Sequence, residues 1–191
     1  MNPQTPGIIG IVPLGDVDGL GPKIIAAHVA GYLNLEALVL PAIALPGQAL
    51  DRRRLQYDAG QILKALAALP YDRYLKLVAV VDVDIFLPIF THVFGEAQQG
   101  GRWALVSFFH LQQPGGPADD PAAMHYERAA KIALHEIGHL FNLEHCDDPH
   151  CLMHFSGALE DLDSLPFYYC RYCRAAYKEA LNANLWPPSR T

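Results

Sequence analysis

HEIGHLFNLEH, residues 135–145, is the most specific pattern in this sequence. His135 and His139 are four residues apart, so they project from one face of a helix with about 5–6 Å between their Cβ atoms and can bind one ion. His145 follows later, and it can reach the same ion only if the chain turns sharply after the helix. Glu136 lies beside the first histidine. The stretch therefore predicts a zinc site with three histidine ligands and an adjacent glutamate.

These residue types indicate hydrolytic chemistry. Neutral imidazoles suit Zn(II), and a catalytic zinc usually keeps three protein ligands and an open position for water. We predict that Glu136 is the general base, which takes a proton from the metal-activated water and passes it to the leaving amine. The alternative is that the histidines lie on the surface and Glu136 belongs to a solvated helix face. A chance HExxH has a probability of only about one or two per cent in such a chain, so we favour the zinc site.

A long helix, from Asp120 to about Phe141, is predicted to carry this pattern. Asp120 and Pro121 make a suitable start, with an N-cap followed by proline at the first helical position. At about 100° per residue, one face of this helix is apolar and the histidines point away from it. The apolar face consists of Ala130, Leu134, Ile137 and Phe141. We expect that face to pack on a sheet and the opposite face to border a cleft.

The chain before this helix alternates between predicted strands and helices, which indicates an α/β fold with a mixed, twisted β-sheet. Strands are predicted at residues 8–14, 38–45, 74–83 and 102–110, with a short candidate strand at 91–94. Helices are predicted at residues 22–33 and 51–68, the second capped by Asp51. A last helix is expected at about residues 172–184, after a loop-rich segment.

We expect a single domain over residues 1–191. Its N-terminal subdomain, about residues 1–142, ends with the helix that carries HExxH, and its C-terminal subdomain, about residues 143–191, is rich in loops. The chain is 51% apolar and 18% charged, and its 191 residues suffice for a sizeable core.

Charge and hydropathy exclude several partners. The net charge is -6, and no basic run or basic–aromatic patch is present, so we expect no nucleic acid. The longest apolar region, residues 75–90, is interrupted by Lys76, Asp82 and Asp84, which is too early for a membrane span. Residues 1–10 lack the cationic start and apolar core of a secretion signal. A cytoplasmic location and no membrane contact are the expectation.

All four cysteines follow the third histidine, as the pairs Cys146-x4-Cys151 and Cys170-x2-Cys173. This spacing is typical of a tetrathiolate metal site. Two disulfides or four free thiols are the alternatives, but nothing in the sequence indicates an oxidising compartment. We therefore predict a second, structural Zn(II) that ties the segment after the long helix to the last helix.

The run from His135 to Cys173 resembles a known family. HExxH, a third histidine and then a methionine in a turn, here Met153, is the pattern of the metzincin metallopeptidases. The added cysteines make the chain similar to the archaemetzincins, which combine a catalytic metzincin site with a four-cysteine zinc.

This resemblance implies a metzincin-like α/β fold with a Met-turn in the C-terminal subdomain, in which Met153 supports the catalytic zinc from beneath. It implies hydrolysis of peptide bonds in a peptide or protein substrate, with two zinc ions per chain. It also implies an edge strand, here placed at residues 91–94, along which peptide binds in extended form.

Two residues depart from the family pattern. Asn142 stands where metzincins have glycine, at the point where the chain leaves the helix. Asparagine is the non-glycine residue that best tolerates left-handed dihedral angles, so we expect the turn to survive. Phe155 stands where some metzincins have a tyrosine as an extra metal ligand. Because phenylalanine cannot bind zinc, Glu136 is the only assignable acid or base.

Two other functions are compatible with the sequence. One is a non-enzymatic, zinc-stabilised binding module whose histidine site is empty or shielded. The other is a narrow aminopeptidase, which needs a carboxylate or a backbone nest to hold the substrate amine. The intact Glu136 favours a peptidase, because a purely structural three-histidine site would not need it.

Overall fold

The computed structural model describes residues 7–112 and 121–185. Two helices lie between strands that form two sheets, and three further helices follow the last strand. The strands are β1 (Ile8–Pro13), β2 (Glu36–Val39), β3 (Leu50–Asp51), β4 (Gln56–Asp58), β5 (Lys76–Val81), β6 (Ile85–Phe86), β7 (Gly95–Ala97) and β8 (Trp103–Ser107). The α-helices are α1 (Leu20–His28), α2 (Ala59–Leu66), α3 (Pro121–Leu140), α4 (Leu159–Ser164) and α5 (Arg171–Leu185). A π-helical turn, Val29–Leu33, extends α1.

The main sheet has five strands in the order β2-β1-β5-β8-β7. The first four are parallel, and β7 pairs antiparallel with β8 at one edge. All six residues of β5, KLVAVV, are buried, as is typical of parallel strands that are covered on both faces. A smaller sheet has the order β3-β4-β6. The predicted mixed α/β fold is therefore confirmed.

Two apolar cores lie on opposite faces of the main sheet. Val78 and Val80 contribute to the core that contains α1 and α3. Leu77 and Ala79, which alternate with them, contribute to the core that contains α2. This alternation follows from the two-residue period of a strand. The long helix α3 is thus packed against the sheet along its apolar face, as its sequence predicts.

The chain after α3 returns to pack on that helix. Arg128 of α3 is 2% exposed, and its guanidinium donates hydrogen bonds of 2.7 and 2.6 Å to the two carboxylate oxygens of Asp163 in α4. The Tyr169 hydroxyl donates to the carbonyl of Leu134 at 2.7 Å. These contacts fix the C-terminal part of the chain against α3.

Several predicted boundaries are wrong. The helix predicted from Asp51 begins instead at Ala59, and Asp58 is its N-cap, accepting from the Gln61 N–H at 3.0 Å. Asp51 lies in β3, where it caps a turn, and the positive φ of Leu55, 56°, would break a helix through this region. Both aspartates can act as caps, so propensity alone does not choose between them.

Other differences concern strands and one short helix. The strand predicted at 38–45 is β2, which ends at Val39, and Ile43 forms only an isolated bridge with Leu14. The edge strand is β7, not residues 91–94. Helix α4 was not predicted, and the Asp120 cap and the loop before it lie outside the described residues. No helix within the described parts of the chain is long and apolar enough to span a membrane.

Candidate active site and metal centres

The C-terminal half of α3 presents two different faces. Ile137 and Phe141 are buried in the core at 0% and 1% exposure. His135 and His139 lie on the other side, where their rings line a cleft. The Nε2 atoms of these two histidines are 3.1 Å apart. The spacing of four residues has therefore brought two potential ligand atoms to one point.

The chain reverses directly after α3 at Asn142. This residue is left-handed, with φ 65°. Its N–H donates to the His139 carbonyl at 2.9 Å, and the N–H of Leu143 donates to the Gly138 carbonyl at 3.0 Å. This pair of hydrogen bonds is the Schellman motif, which ends a helix with a left-handed residue. The expectation that Asn142 takes the place of glycine in this turn is confirmed.

The reversal brings His145 to the other two histidines. Its ring centroid is 5.3 Å from that of His135 and 4.8 Å from that of His139. One ring nitrogen from each of the three lies within 4.8 Å of the others. Tetrahedral zinc with bonds of about 2.0–2.1 Å separates its nitrogen ligands by about 3.3 Å, so the cluster can close on one ion with small ring rotations.

Backbone carbonyls orient two of these rings. His135 Nδ1 lies 2.8 Å from the Leu152 oxygen, and His139 Nδ1 lies 2.7 Å from the Leu143 oxygen. A carbonyl can only accept, so each Nδ1 carries the proton and each Nε2 keeps its lone pair. Burial lowers the pKa of His135 to about 3 and also lowers the pKa of His139 and His145. Neutral imidazoles are the form that binds zinc.

The hairpin formed by β7 and β8 also contacts the Leu143 carbonyl, which orients His139. Gln99, in the turn between β7 and β8, donates from Nε2 to the Leu143 oxygen at 3.0 Å. The neighbouring Gly100 N–H donates to the His139 carbonyl at 2.8 Å. These hydrogen bonds connect the end of α3 to the turn that follows the edge strand β7. They therefore fix the position of the histidine cluster relative to β7.

Glu136 is 8% exposed and lines the cleft beside the histidines. Burial raises its pKa well above the usual value, and the charge of Glu96 raises it further. A Cβ at Gly95 would lie 2.8 Å from Glu136 Oε1 and 2.8 Å from Ile132 Cγ2. The missing side chain at Gly95 therefore leaves the room that the Glu136 carboxylate occupies beneath β7.

The cleft has a volume of about 680 Å³ and mostly apolar walls. One wall is β7 and the segment before it, and the opposite walls are α3, the loop after it and α4. The apolar lining residues are Leu87, Phe90, Val93, Phe94, Ala97, Ile132, Leu152, Phe155, Leu162 and Leu165. Such a groove, apolar with a few convergent polar groups, is typical of a ligand site.

Met153 is fully buried directly under α3. A Cβ at Gly138 would overlap the Met153 sulfur, so glycine is needed at this point of the helix. The Met153 carbonyl accepts from the Cys146 N–H at 2.8 Å. The methionine thus packs against α3 at Gly138, and its backbone carbonyl holds the residue that follows His145.

The four cysteines form a second cluster. Their sulfur atoms lie within 4.8 Å of one another, and all four thiols are free. The sulfurs of Cys146 and Cys170 are 3.9 Å apart, close to the spacing of about 3.8 Å in a tetrahedral zinc site with bonds of about 2.3 Å. The Cys151 sulfur also accepts from the Cys170 N–H at 3.2 Å. The donor set and its geometry suit a closed zinc site.

Some groups that contact the site could not be predicted from the sequence. The carbonyls of Leu143 and Leu152 act through the backbone, which any residue supplies. Gln99 and Glu96 reach the site only through the pairing of β7 with β8. The glycine within HEIGH was a usable signal, since a helix-interior glycine is unfavourable without a packing reason.

Comparisons with known proteins agree with this architecture. The model of peptidase family M54 matches residues 29–179. The archaemetzincin of Pyrococcus abyssi is 35% identical over 175 residues, which is 87% of this chain and 92% of that protein. The archaemetzincin of Pyrococcus furiosus is 33% identical over 182 residues, covering 91% of this chain and 94% of that protein.

Two crystal structures are similar along nearly their whole length. The archaemetzincin of Archaeoglobus fulgidus, complexed with malonate, is 34% identical with a TM-score of 0.76, covering 88% of this chain and 99% of that one. The archaemetzincin of Methanopyrus kandleri is 29% identical with a TM-score of 0.81, covering 95% of this chain and 99% of that one.

Proposed function

The chain belongs to peptidase family M54, the archaemetzincins, and is a zinc-dependent metallopeptidase; on this premise we propose how its residues divide the work. His135, His139 and His145 hold the catalytic zinc, and Glu136 is the general base. The observation that carries this assignment is the 3.1 Å distance between the Nε2 atoms of His135 and His139. In both rings the other nitrogen, Nδ1, is hydrogen-bonded to a backbone carbonyl. Rings held in this way present lone pairs to one point, next to a buried carboxylate.

Zinc, when bound, supplies a Lewis acid that polarises a carbonyl and makes water acidic enough to react near neutral pH. Glu136 then accepts a proton from the attacking water at its carboxylate. It donates that proton to the nitrogen of the leaving amine. Burial raises the pKa of Glu136, which makes its carboxylate a stronger base and favours retention of the proton between these two transfers.

The substrate is a peptide or protein in extended form along the free edge of β7. Two hydrogen bonds flank β7 where it pairs with β8, with the Ser107 N–H donating to the Phe94 carbonyl and the Gln98 N–H donating to the Trp103 carbonyl. Glu96, which pairs with Leu105 midway between them, therefore also directs its backbone groups at β8. Since hydrogen-bonding positions alternate along an antiparallel strand, the N–H and C=O groups of Gly95 and Ala97 face outward. A peptide can pair with them and lie across Glu136.

Cys146, Cys151, Cys170 and Cys173 hold a second, structural zinc, which gives two ions per chain. The four sulfurs leave no open position, which is the character of a structural site. We also propose that the parts of the chain before and after residue 142 form one domain. The support is the packing of α4 and Tyr169 on α3, including the buried pair of Arg128 and Asp163.

The test is a comparison of the parent protein with Glu136→Gln on a diverse peptide mixture, with cleavage positions identified by mass spectrometry. The variant should keep its zinc, because it keeps all ligands, and should hydrolyse peptides about 10²–10⁴-fold more slowly. Glu36→Gln, on the exposed strand at the far edge of the sheet, is the matched control and should behave as the parent.

Two results would contradict this proposal. Equal hydrolysis by Glu136→Gln and the parent would show that Glu136 is not the base. If no peptide is cleaved by the zinc-loaded parent, a peptide-binding module becomes the better description. Products that are shortened only from their N-termini would instead identify an aminopeptidase.

A further inference from the structure

Glu96 is a carboxylate at the cleft that the proposed chemistry does not use. It lies at the centre of β7, partly buried, and it lines the cleft. Within residues 7–112 and 121–185 its carboxylate forms no hydrogen bond and no ion pair, and only its backbone is paired, with Leu105 of β8. Burial raises the pKa of its carboxyl group. A partly desolvated carboxylate without a partner is unfavourable, so a cation placed beside it would be bound well.

The pairing of β7 determines the direction of this side chain. Glu96 is in register with Leu105, which belongs to the core on the α2 side of the sheet. Gly95 is in register with Val106, which belongs to the core on the α3 side. Glu96 therefore leaves the strand on the face opposite to Glu136, while the empty position of Gly95 faces Glu136.

A substrate strand on the free edge of β7 would meet Glu96 at close range. The backbone N–H and C=O groups of Glu96 are directed at β8. If a substrate strand pairs antiparallel with the other edge of β7, Glu96 and the substrate residue opposite it therefore form a non-hydrogen-bonded pair. At such positions facing Cα atoms are only about 4.5 Å apart, and the two side chains lie on the same face. One substrate side chain must therefore stand beside the Glu96 carboxylate.

The surroundings favour a long basic side chain there. Leu87 and Val93 line the cleft and also contact the α2-side core, on the face to which Glu96 points. They offer an apolar surface to the methylenes of lysine or arginine, whose charged end can then reach the carboxylate. The charged lining residues among those described are Glu96, Glu136 and Glu144, with no lysine or arginine.

We propose that Glu96 is a specificity-determining residue that selects peptides with lysine or arginine at the position facing it on the edge of β7. This inference rests on the proposed binding of peptide along β7. It concerns the choice of substrate and is independent of the hydrolytic step. An opposite-charge pair at a partly buried cross-strand position should favour the basic residue about five- to twentyfold in kcat/KM.

The experiment uses a peptide whose cleavage site has been mapped with the zinc-loaded protein. Each position on either side of that site is changed in turn to lysine, methionine or glutamate, and kcat/KM is measured for every peptide. The proteins are the parent, Glu96→Gln, and Glu36→Gln as a control at the far edge of the sheet. One position should show the preference for lysine over methionine, Glu96→Gln should lose it, and Glu36→Gln should keep it.

A binding measurement separates this inference from the proposed function. Fluorescently labelled lysine and methionine peptides are titrated with the zinc-loaded Glu136→Gln variant and with Glu96→Gln/Glu136→Gln. Tighter binding of the lysine peptide that requires Glu96 supports the inference, even if the parent cleaves nothing.

Three outcomes would overturn the inference. The first is cleavage without a lysine preference at any position, which would leave the peptidase assignment intact. The second is a lysine preference that survives in Glu96→Gln. The third is a loss of kcat/KM in Glu96→Gln that acetylation of the peptide N-terminus reproduces in the parent, whichever residue faces Glu96, since Glu96 would then bind the terminal ammonium group.

Discussion

The histidine cluster and the cysteine cluster adjoin in sequence, where Cys146 follows His145, but they are built in different ways. Two of the three histidines lie on one long helix, and their rings are oriented by backbone carbonyls. This cluster borders the 680 Å³ cleft. The cysteines come from a loop and from the region where α5 begins, and Cys151 is fully buried. The histidine cluster is open to the cleft and lies on a packed helix, whereas the cysteine cluster is closed and joins separate segments of the chain.

The difference predicts opposite dependences on metal. The position of α3 is fixed by the sheet and by the contacts of Ile137 and Phe141 in the core, so the open cluster does not need an ion to exist. Between α3 and α4 the chain has no helix or strand. Segments of this kind contribute little packing of their own, so a closed metal site that links them contributes directly to folding.

Removal of one ligand from the closed cluster should have the largest effect. Cys151→Ser should lose the structural zinc and lower the free energy of unfolding by about 4 kcal/mol or more, because loss of a structural metal belongs to the most destabilising class of change. Zinc content and denaturant unfolding are the measurements. Asp147→Asn, in the same loop but exposed, is the control. A variant that keeps two zinc ions and the parent stability would remove the distinction between the clusters.

Mild chelation should separate the two ions without any mutation. The histidine zinc has an open position and should leave first, with loss of peptide hydrolysis and retention of the fold. The free energy of unfolding should fall by only about 2–3 kcal/mol, the contribution of an ion present at about 100 times its Kd. Added zinc should restore activity. Simultaneous loss of both ions, or unfolding at the first, would contradict this prediction.

Local patterns in the sequence predicted much of the site. The spacing of His135 and His139 is a property of any helix, and the left-handed turn at Asn142 follows from the preference of one residue. The spacing within the two cysteine pairs, together with the resemblance to the archaemetzincins, predicts the four-cysteine cluster. The helix spacing, the turn and each cysteine pair depend on neighbours a few residues away, so a single sequence contains the necessary information, whereas the meeting of the two cysteine pairs depends on the fold.

Features that depend on distant pairing were not accessible. The helix start was misplaced because Asp51 and Asp58 are equally good caps, and tertiary context chose between them. The edge strand was placed four residues too early, because its position depends on which residues align with β8. A shift in register changes which side chains face α3, so the location of Gly95 over Glu136 and the exposure of Glu96 to the cleft required the structure.

A substitution at Gly138, where α3 packs on Met153, should have an intermediate effect on stability. Gly138→Ala should lower the free energy of unfolding by about 1–3 kcal/mol, since the new methyl group would overlap the Met153 sulfur in a packed interior. Displacement of Met153 should also weaken zinc binding at the histidines, measured by competition with a chelator. The control is Gly157→Ala, where a Cβ would meet only Phe155 at 3.5 Å. Equal effects of the two changes would show that Met153 does not support the site.

The smallest effect is expected at Asn142, the residue that leads from the helix to His145. Its φ of 65° is a conformation in which a side chain incurs some strain, glycine incurs essentially none, and a β-branched residue incurs the most. Asn142→Gly should therefore be neutral or slightly stabilising. Asn142→Val should lower the free energy of unfolding by about 1–2 kcal/mol.

The two metal sites should respond differently to these substitutions at Asn142. A distorted turn misplaces His145, so Asn142→Val should bind the histidine zinc more weakly. The cysteine zinc should change little, because four ligands from other points of the chain hold it, and the Cys146 N–H is also fixed by the Met153 carbonyl. Denaturant unfolding and the stepwise loss of each zinc to a chelator measure both effects. Equal stability and equal zinc affinity of the Gly and Val variants would mean that residue 142 is not left-handed in solution. The chain would then not reverse at this residue, and the assignment of His145 as the third ligand would be wrong.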